Sequence, residues 1–194
     1  MMLTAGLLVG LAPSTLSVQS GTHTSTALPI FGKVDLTTGK SDLSPTQSQL
    51  SDKVRLTSEN YDLSCETLTL TSERPKDKNG KFGRPLLNRA TARPVPGAQV
   101  IADIRRSDAL HPENSQSYHI LADLAVYKAD DSRPSGVEVD FVGHVRVETN
   151  AGFLSGPSVT TTDHATVLLG RSDDDEFPRV ETGPAHIVAT PAQQ

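Results

Sequence analysis

The sequence predicts an all-β domain, and three observations carry that expectation. Apolar residues recur at every second position in several short segments. Turn-forming residues separate those segments, and no long stripe of helical period runs anywhere along the 194 residues. Thr, Ser and Val are plentiful while Trp is absent, which suits strands with narrow apolar faces better than a thick aromatic core.

The elements follow in order. Residues 1–20 open with "MMLTAGLLVGLA" and continue with the small, polar "PSTLSVQS". This apolar run is too short for a membrane-spanning helix and has signal-peptide length, although no basic residue precedes it. Residues 21–28 are expected to be a linker, 29–191 the β domain and 192–194 a tail. Alternation marks strands at 98–105, 118–127, 137–148, 164–170 and 184–190, and more faintly along 50–65. "TTGK", "KDKNGKFG", "DDSRPSG" and "SDDDEFP" supply turns, and the polar 107–117 reads as a loop. The clearest strand is "VEVDFVGHVRVE", where Val137, Val139, Phe141, Val145 and Val147 share one parity and the charged residues the other. Gly143 interrupts that apolar face and predicts a kink or bulge.

A fainter copy of this segment lies upstream. Val145 minus Val54 is 91, and the same shift carries Phe141 to Leu50, Arg146 to Arg55, Val147 to Leu56, Leu154 to Leu63, Ser155 to Ser64 and Val159 to Leu68. Gly143 falls on Asp52, and both are turn-tolerant types. The register predicts an internal repeat. Both copies also change phase: Tyr61, Leu63 and Cys65 share one parity and Leu68 and Leu70 the other, while Val159 switches away from Leu154 and Gly156. Such a switch implies a bulge or a corner in the sheet.

Composition argues against several function classes. The net charge of −5 offers no basic footprint for nucleic acid and disfavours docking to an anionic membrane. Cys65 is the only cysteine, so an intrachain disulfide is excluded; it reads as a small buried strand residue. The six histidines form no ligand pair at helical or strand spacing, and Asp173-Asp174-Asp175-Glu176 lacks the spacing and glycine of a calcium loop. Ser155 in "LSGPS" is not a nucleophile elbow. No enzyme, metal or cofactor is expected. Arg55 and Arg146 lie opposite the apolar face and read as solvated, the other reading being contacts to lipid phosphates.

"ILADLAVYKADDSRPSGVEVDFVGHVRVETNAGFLSGPSVTTT" resembles the repeated unit of the OstA-like (organic solvent tolerance) family. Ala122, Asp123, Ala125 and Tyr127 match its start, Gly143, Val145 and Val147 its middle, and Leu154, Gly156 and Val159 its end. His144 stands where Asn is usual and Pro157 where Asp is usual. Residues 51–70 are similar to an earlier copy and 88–102 to the link between copies.

The resemblance implies an open β-jellyroll, a long sheet folded over like a taco, in a periplasmic lipopolysaccharide-transport protein. Its apolar interior would hold acyl chains, and its ends would stack on neighbouring jellyrolls through edge strands. The periplasmic bridge component is the reading favoured, with head-to-tail homo-oligomers expected. The inner-membrane-anchored partner of the same system, retaining its N-terminal segment, is the alternative, and a carbohydrate-binding or structural β-sandwich is another. The lipid groove is expected to include Leu50, Val54, Leu56, Leu63, Leu68, Val139, Phe141, Val145, Val147, Leu154 and Val159. Residues 30–36 and 185–190 are expected to be the terminal sheet edges.

Overall fold

The computed structural model describes residues 22–28, 32–44, 46–76, 78–83, 86–106, 115–129, 137–151, 156–169 and 178–188. They form thirteen strands of one antiparallel sheet and no helix. The strands are β1 (Thr22–Leu28), β2 (Gly32–Thr38), β3 (Lys40–Leu43), β4 (Gln47–Thr57), β5 (Tyr61–Glu73), β6 (Leu86–Arg93) and β7 (Val100–Arg106). They continue with β8 (Gln116–Ala122), β9 (Leu124–Ala129), β10 (Val137–Ala151), β11 (Ser158–Leu169), β12 (Arg179–Thr182) and β13 (Ala185–Val188). Residues 22–28, expected as a linker, instead pair along their length with β2. The expected edge at 30–36 is displaced accordingly: β2 lies between β1 and β4, so its backbone is paired on both sides.

Four long strands, β4, β5, β10 and β11, run the full width of the sheet. Shorter strands flank them in pairs, each pair interrupted at one place: β2 and β3 at Gly39, β6 and β7 between Arg93 and Val100, β8 and β9 at Asp123, β12 and β13 at Gly183. The long strands bend at the same line. Asp52 and Lys53 of β4 together oppose the single Glu66 of β5, because Ser51 pairs with Thr67 and Val54 with Cys65. Gly143 and His144 of β10 together oppose the single Asp163 of β11. Each is one extra residue in one strand, a β-bulge. All four bulge residues have positive φ, at 70° and 59° for Asp52 and Lys53 and at 76° and 44° for Gly143 and His144.

This line is a crease dividing the sheet into two walls. The first wall runs β3-β4-β5-β6-β9-β10-β11-β12, and the second β1-β2-β4-β5-β7-β8-β10-β11-β13. Buried residues of both walls, among them Leu68, Phe141 and Val167 of the first and Val54, Ile120 and Val147 of the second, belong to one apolar cluster. The sheet is therefore folded onto itself at the crease, the open β-jellyroll expected from the sequence.

The bulges also explain the phase changes. On β5 the apolar parity switches between Cys65 and Leu68, directly opposite the β4 bulge. On β11 it switches between Thr160 and Ala165, opposite the β10 bulge. The position expected for the second switch, at Val159, is therefore corrected to Asp163. The physical reason is a longer connection: Val145 follows Val54 by 91 positions, whereas their partners Thr162 and Cys65 differ by 97. The repeat holds from β4 to β10 and slips by the difference before β11.

The crease is fixed by backbone hydrogen bonds from the interrupted strands. The Gly39 N–H donates to the Asp52 carbonyl at 2.9 Å, and the Asp123 N–H to the Gly143 carbonyl at 3.0 Å. A Cβ at Gly143 would lie 2.6 Å from Asp123 Oδ2 in addition to requiring a strained φ. Gly143→Ala is therefore expected to cost at least about 1 kcal/mol from the left-handed conformation alone. Gly156→Ala, where a Cβ meets nothing, is expected to change stability by less than about 0.5 kcal/mol. Urea unfolding of the two variants side by side checks this.

Candidate functional site

The concave, inward face of the folded sheet is the candidate site, and cross-strand register builds it row by row. Paired residues of antiparallel strands point to the same side. In the first wall, Leu68, Ala92, Ala125, Phe141 and Ala165 make one row across five strands, and Leu70, Ala90, Tyr127, Val139, Val167 and Val180 the next. In the second wall, Leu36, Leu56, Leu63, Ala102, Ile120, Val147 and Thr160 form a row. Every member of these rows but Thr160 is apolar.

Most of the anticipated residues lie on this face. Leu50, Val54, Leu68, Phe141, Val145 and Val147 are buried, each at most 3% exposed. Leu56, Leu63 and Val139 lie in the inner rows beside them, and Leu63 and Val139 pack against the buried cluster. Leu154 lies outside the described residues. Val159 is a correction: it pairs with Glu148 and Val188, so it shares the outward face of Glu148. Its place in the inner row is taken by Thr160, for the same reason of slipped register.

Much of the interior was not anticipated from the sequence. Ala92, Ala102, Ala122, Ala125 and Ala165 are all at most 4% exposed, and alanine carries little hydrophobic signal in a window. Their alternation with Val, Ile and Leu in "AQVIADIR" and "YHILADLAVY" was the available clue. These small residues let the walls approach. The largest fully buried side chain is Phe141, and most of the others are Val. Burial pushes the Cys65 thiol up to about 12, with the neighbouring Glu66 adding to the effect; a thiol so protonated is a poor nucleophile.

The outward face is polar and pairs its charges. Arg105 Nη2 lies 2.5 Å from Asp62 Oδ2, and His119 Nδ1 2.7 Å from Asp103 Oδ1. Burial raises the Asp140 carboxyl, but hydrogen bonds from Lys128 Nζ and Thr166 Oγ1 outweigh it and hold the group below its ordinary value. Arg146 faces Glu148 at 3.4 Å on this side, and Arg55 pairs in register with Ser64 on it, so both arginines point away from the interior. A shallow concavity of about 320 Å³ lies beside Arg55, Lys53, Val95 and Ile101; its lining also includes Val54 and Cys65 of the apolar cluster. Among the described residues, no three His, Cys, Asp or Glu side chains converge as a metal site.

His144 caps the bulge, with Nδ1 2.7 Å from Asp123 Oδ2. That hydrogen bond, and then the charge of Asp123, raise the imidazole above its ordinary value.

No family model matches the chain, and no curated protein matches it. Several solved structures do. One is LptH from Pseudomonas aeruginosa, described as the LptA-homologous periplasmic component of the conserved lipopolysaccharide transport device. The match has a TM-score of 0.53 at 12% sequence identity and covers 81% of this chain and 95% of that one. At this identity the likeness establishes the fold: this chain is an Lpt-like folded sheet along nearly the whole length of LptH.

Two outcomes follow. Phe141→Ala is expected to destabilise the fold by about 3–5 kcal/mol, since Phe141 is 1% exposed and its register partners Ala125 and Ala165 are too small to fill its space; equilibrium denaturation measures it. The His144 imidazole is expected to titrate above an ordinary histidine. Its protonated pair with Asp123 is present at low pH and lost as pH rises through the raised value. An NMR titration should show the midpoint return toward the ordinary value in Asp123→Asn.

Proposed function

We propose that this protein is a non-catalytic periplasmic carrier or bridge that holds the acyl chains of lipopolysaccharide between the two walls of its folded sheet. The observation that carries the reading is the interior itself, which joins apolar rows of both walls across a crease. The strand pairings lie within each wall, so the walls would part about that crease with their ladders intact. An acyl chain entering between them would gain about 0.8 kcal/mol per buried methylene, offsetting the apolar burial that the walls give up as they separate. The fold shared with LptH supports the same assignment.

The partly buried residues Leu63, Leu70, Val139 and Tyr127 would be the first to meet a chain. The polar head would remain in water, while the paired charges outside keep the sheet soluble. Residues 1–20 would direct export and 29–191, now extended to include β1, would form the working domain. The unpaired outer edges of the sheet would receive strands of neighbouring jellyrolls, the β-augmentation mode. If residues 1–20 were retained, the same domain would serve as the inner-membrane-anchored partner. The carbohydrate-binding alternative has less support, because Tyr61, Tyr118 and Tyr127 pack against the core rather than standing out as stacking platforms.

Native mass spectrometry of protein purified from the periplasm, with identification of any lipid carried, is the direct test. A photoreactive side chain at Val139 or Leu63 is expected to crosslink lipopolysaccharide. The same group at the outward Val142, paired with Leu124 and His164, is expected to give little product. Equal labelling at all three positions, or protein free of lipid in every preparation, would remove the carrier reading.

A further inference from the structure

The strand pairings repeat as a whole. Strands β1 to β6 pair as β1·β2, β2·β4, β3·β4, β4·β5 and β5·β6; strands β7 to β12 pair as β7·β8, β8·β10, β9·β10, β10·β11 and β11·β12. The chain is two copies of one six-stranded unit. The copies join where β7 pairs with β5 and β9 with β6. Strand β13 has no counterpart inside this count. It pairs with β11 as β7 pairs with β5, so it occupies the position of the first strand of a third unit.

The junction between the units is thus a template for a junction between molecules. Register carries the equivalences. Ala90 pairs with Leu70, and Val180 with Val167, so Val180 stands for Ala90. Tyr127 pairs with Val139, and Leu43 with Ser48, so Leu43 stands for Tyr127. Since Ala90 pairs with Tyr127, Val180 of one molecule would face Leu43 of the next. Leu43 is 63% exposed, and among the described residues β3 and β12 are each paired on one side only. The other wall holds a conflict. Ala102 pairs with Leu63 and with Ile120; the matching positions are Thr24, paired with Leu36, and Ile187, paired with Thr160. Thr24 of a following molecule and Ile187 of this one therefore claim the same place opposite Thr160.

We propose that β13 is a self-supplied stand-in for β1 of a following copy, and that head-to-tail association exchanges it for that strand while β12 pairs with β3 in the register Val180 to Leu43. This rests on the bridge reading above and names its second-copy form. Strand β13 suits the role: it is four residues long, all exposed, with Ile187 and Val188 at 62% and 56%. The exchange extends the sheet with the pairing already used inside the chain. It also leaves Glu181 opposite Asp42, by the pairing of Thr91 with Val126. Like charges directly opposite disfavour pairing, so association is weak and reversible.

The test uses the full mature chain with Cys65→Ser. Leu43→Cys together with Val180→Cys is expected to give a disulfide-linked ladder of species longer than dimers, whereas Leu43→Cys with the outward Arg179→Cys gives none. Deleting 185–194 frees the β11 edge. If β13 leaves that edge about a tenth of the time, deletion tightens association by about tenfold in sedimentation. Thr160→Cys with Ile187→Cys locks β13 in place and is expected to block association until reductant is added. Association that is weakened by the deletion, or indifferent to the lock, overturns the exchange while leaving the bridge reading intact. A monomer in every variant at all concentrations, with no crosslinked ladder and no shift on adding another jellyroll transport protein, removes both.

Discussion

One extra residue in each of two long strands shapes this molecule. A flat sheet with one apolar face cannot bury that face by itself, and this sheet solves the problem by folding along a single line. Asp52 and Lys53 in β4, and Gly143 and His144 in β10, place two residues against one and take left-handed backbone conformations. Gly39 and Asp123 then hold the two corners with matching backbone hydrogen bonds. The shorter strands break at the same line, so no continuous ladder opposes the bend. The cost of left-handed non-glycine residues, about 1–2 kcal/mol each, is offset by an apolar cluster that exists only once the walls meet.

The interior that results differs from a packed globular core. Its buried residues are mostly Ala and Val, with Phe141 as the largest fully buried side chain. Small side chains interlock shallowly, so the two walls resist separation less than interdigitated aromatic layers would. Each wall keeps its own strand pairings, and the outward charges of Asp62 with Arg105 and of Lys128 with Asp140 pair within a wall rather than across the crease.

The same construction leaves the sheet unfinished. A barrel would close its edges; among the described residues this sheet does not close on itself. Within the chain, β5 and β6 of the first unit meet β7 and β9 of the second. Among the described residues, β13 covers part of the edge offered by β11, and β12 is paired on one side only. Exposed Leu43, Ile187 and Val188 sit on these edges, and Lys40, Asp42, Arg179 and Glu181 are the charges that guard them.

Alternation in the sequence was sufficient to determine strands, their inward parity and the kink at Gly143, because a half-buried strand must place apolar residues at every second position. Leu50, Val54, Leu68, Phe141, Val145 and Val147 were legible as one face for that reason. The resemblance carried by "ILADLAVY" and "VGHVRV" supplied the jellyroll, which period alone could not. Tertiary structure decided what depends on pairing. Val159 belongs to the outer face because the connection between β10 and β11 is longer than that between β4 and β5, and a shift in register is invisible to a gapless repeat. Residues 22–28 form a strand because β2 offers them an edge, not because their own sequence alternates strongly. The alanines of the interior share the alternation of their strands, but how deeply they are buried was decided across strands, since a small side chain is buried by what lies opposite it rather than by its own hydrophobicity.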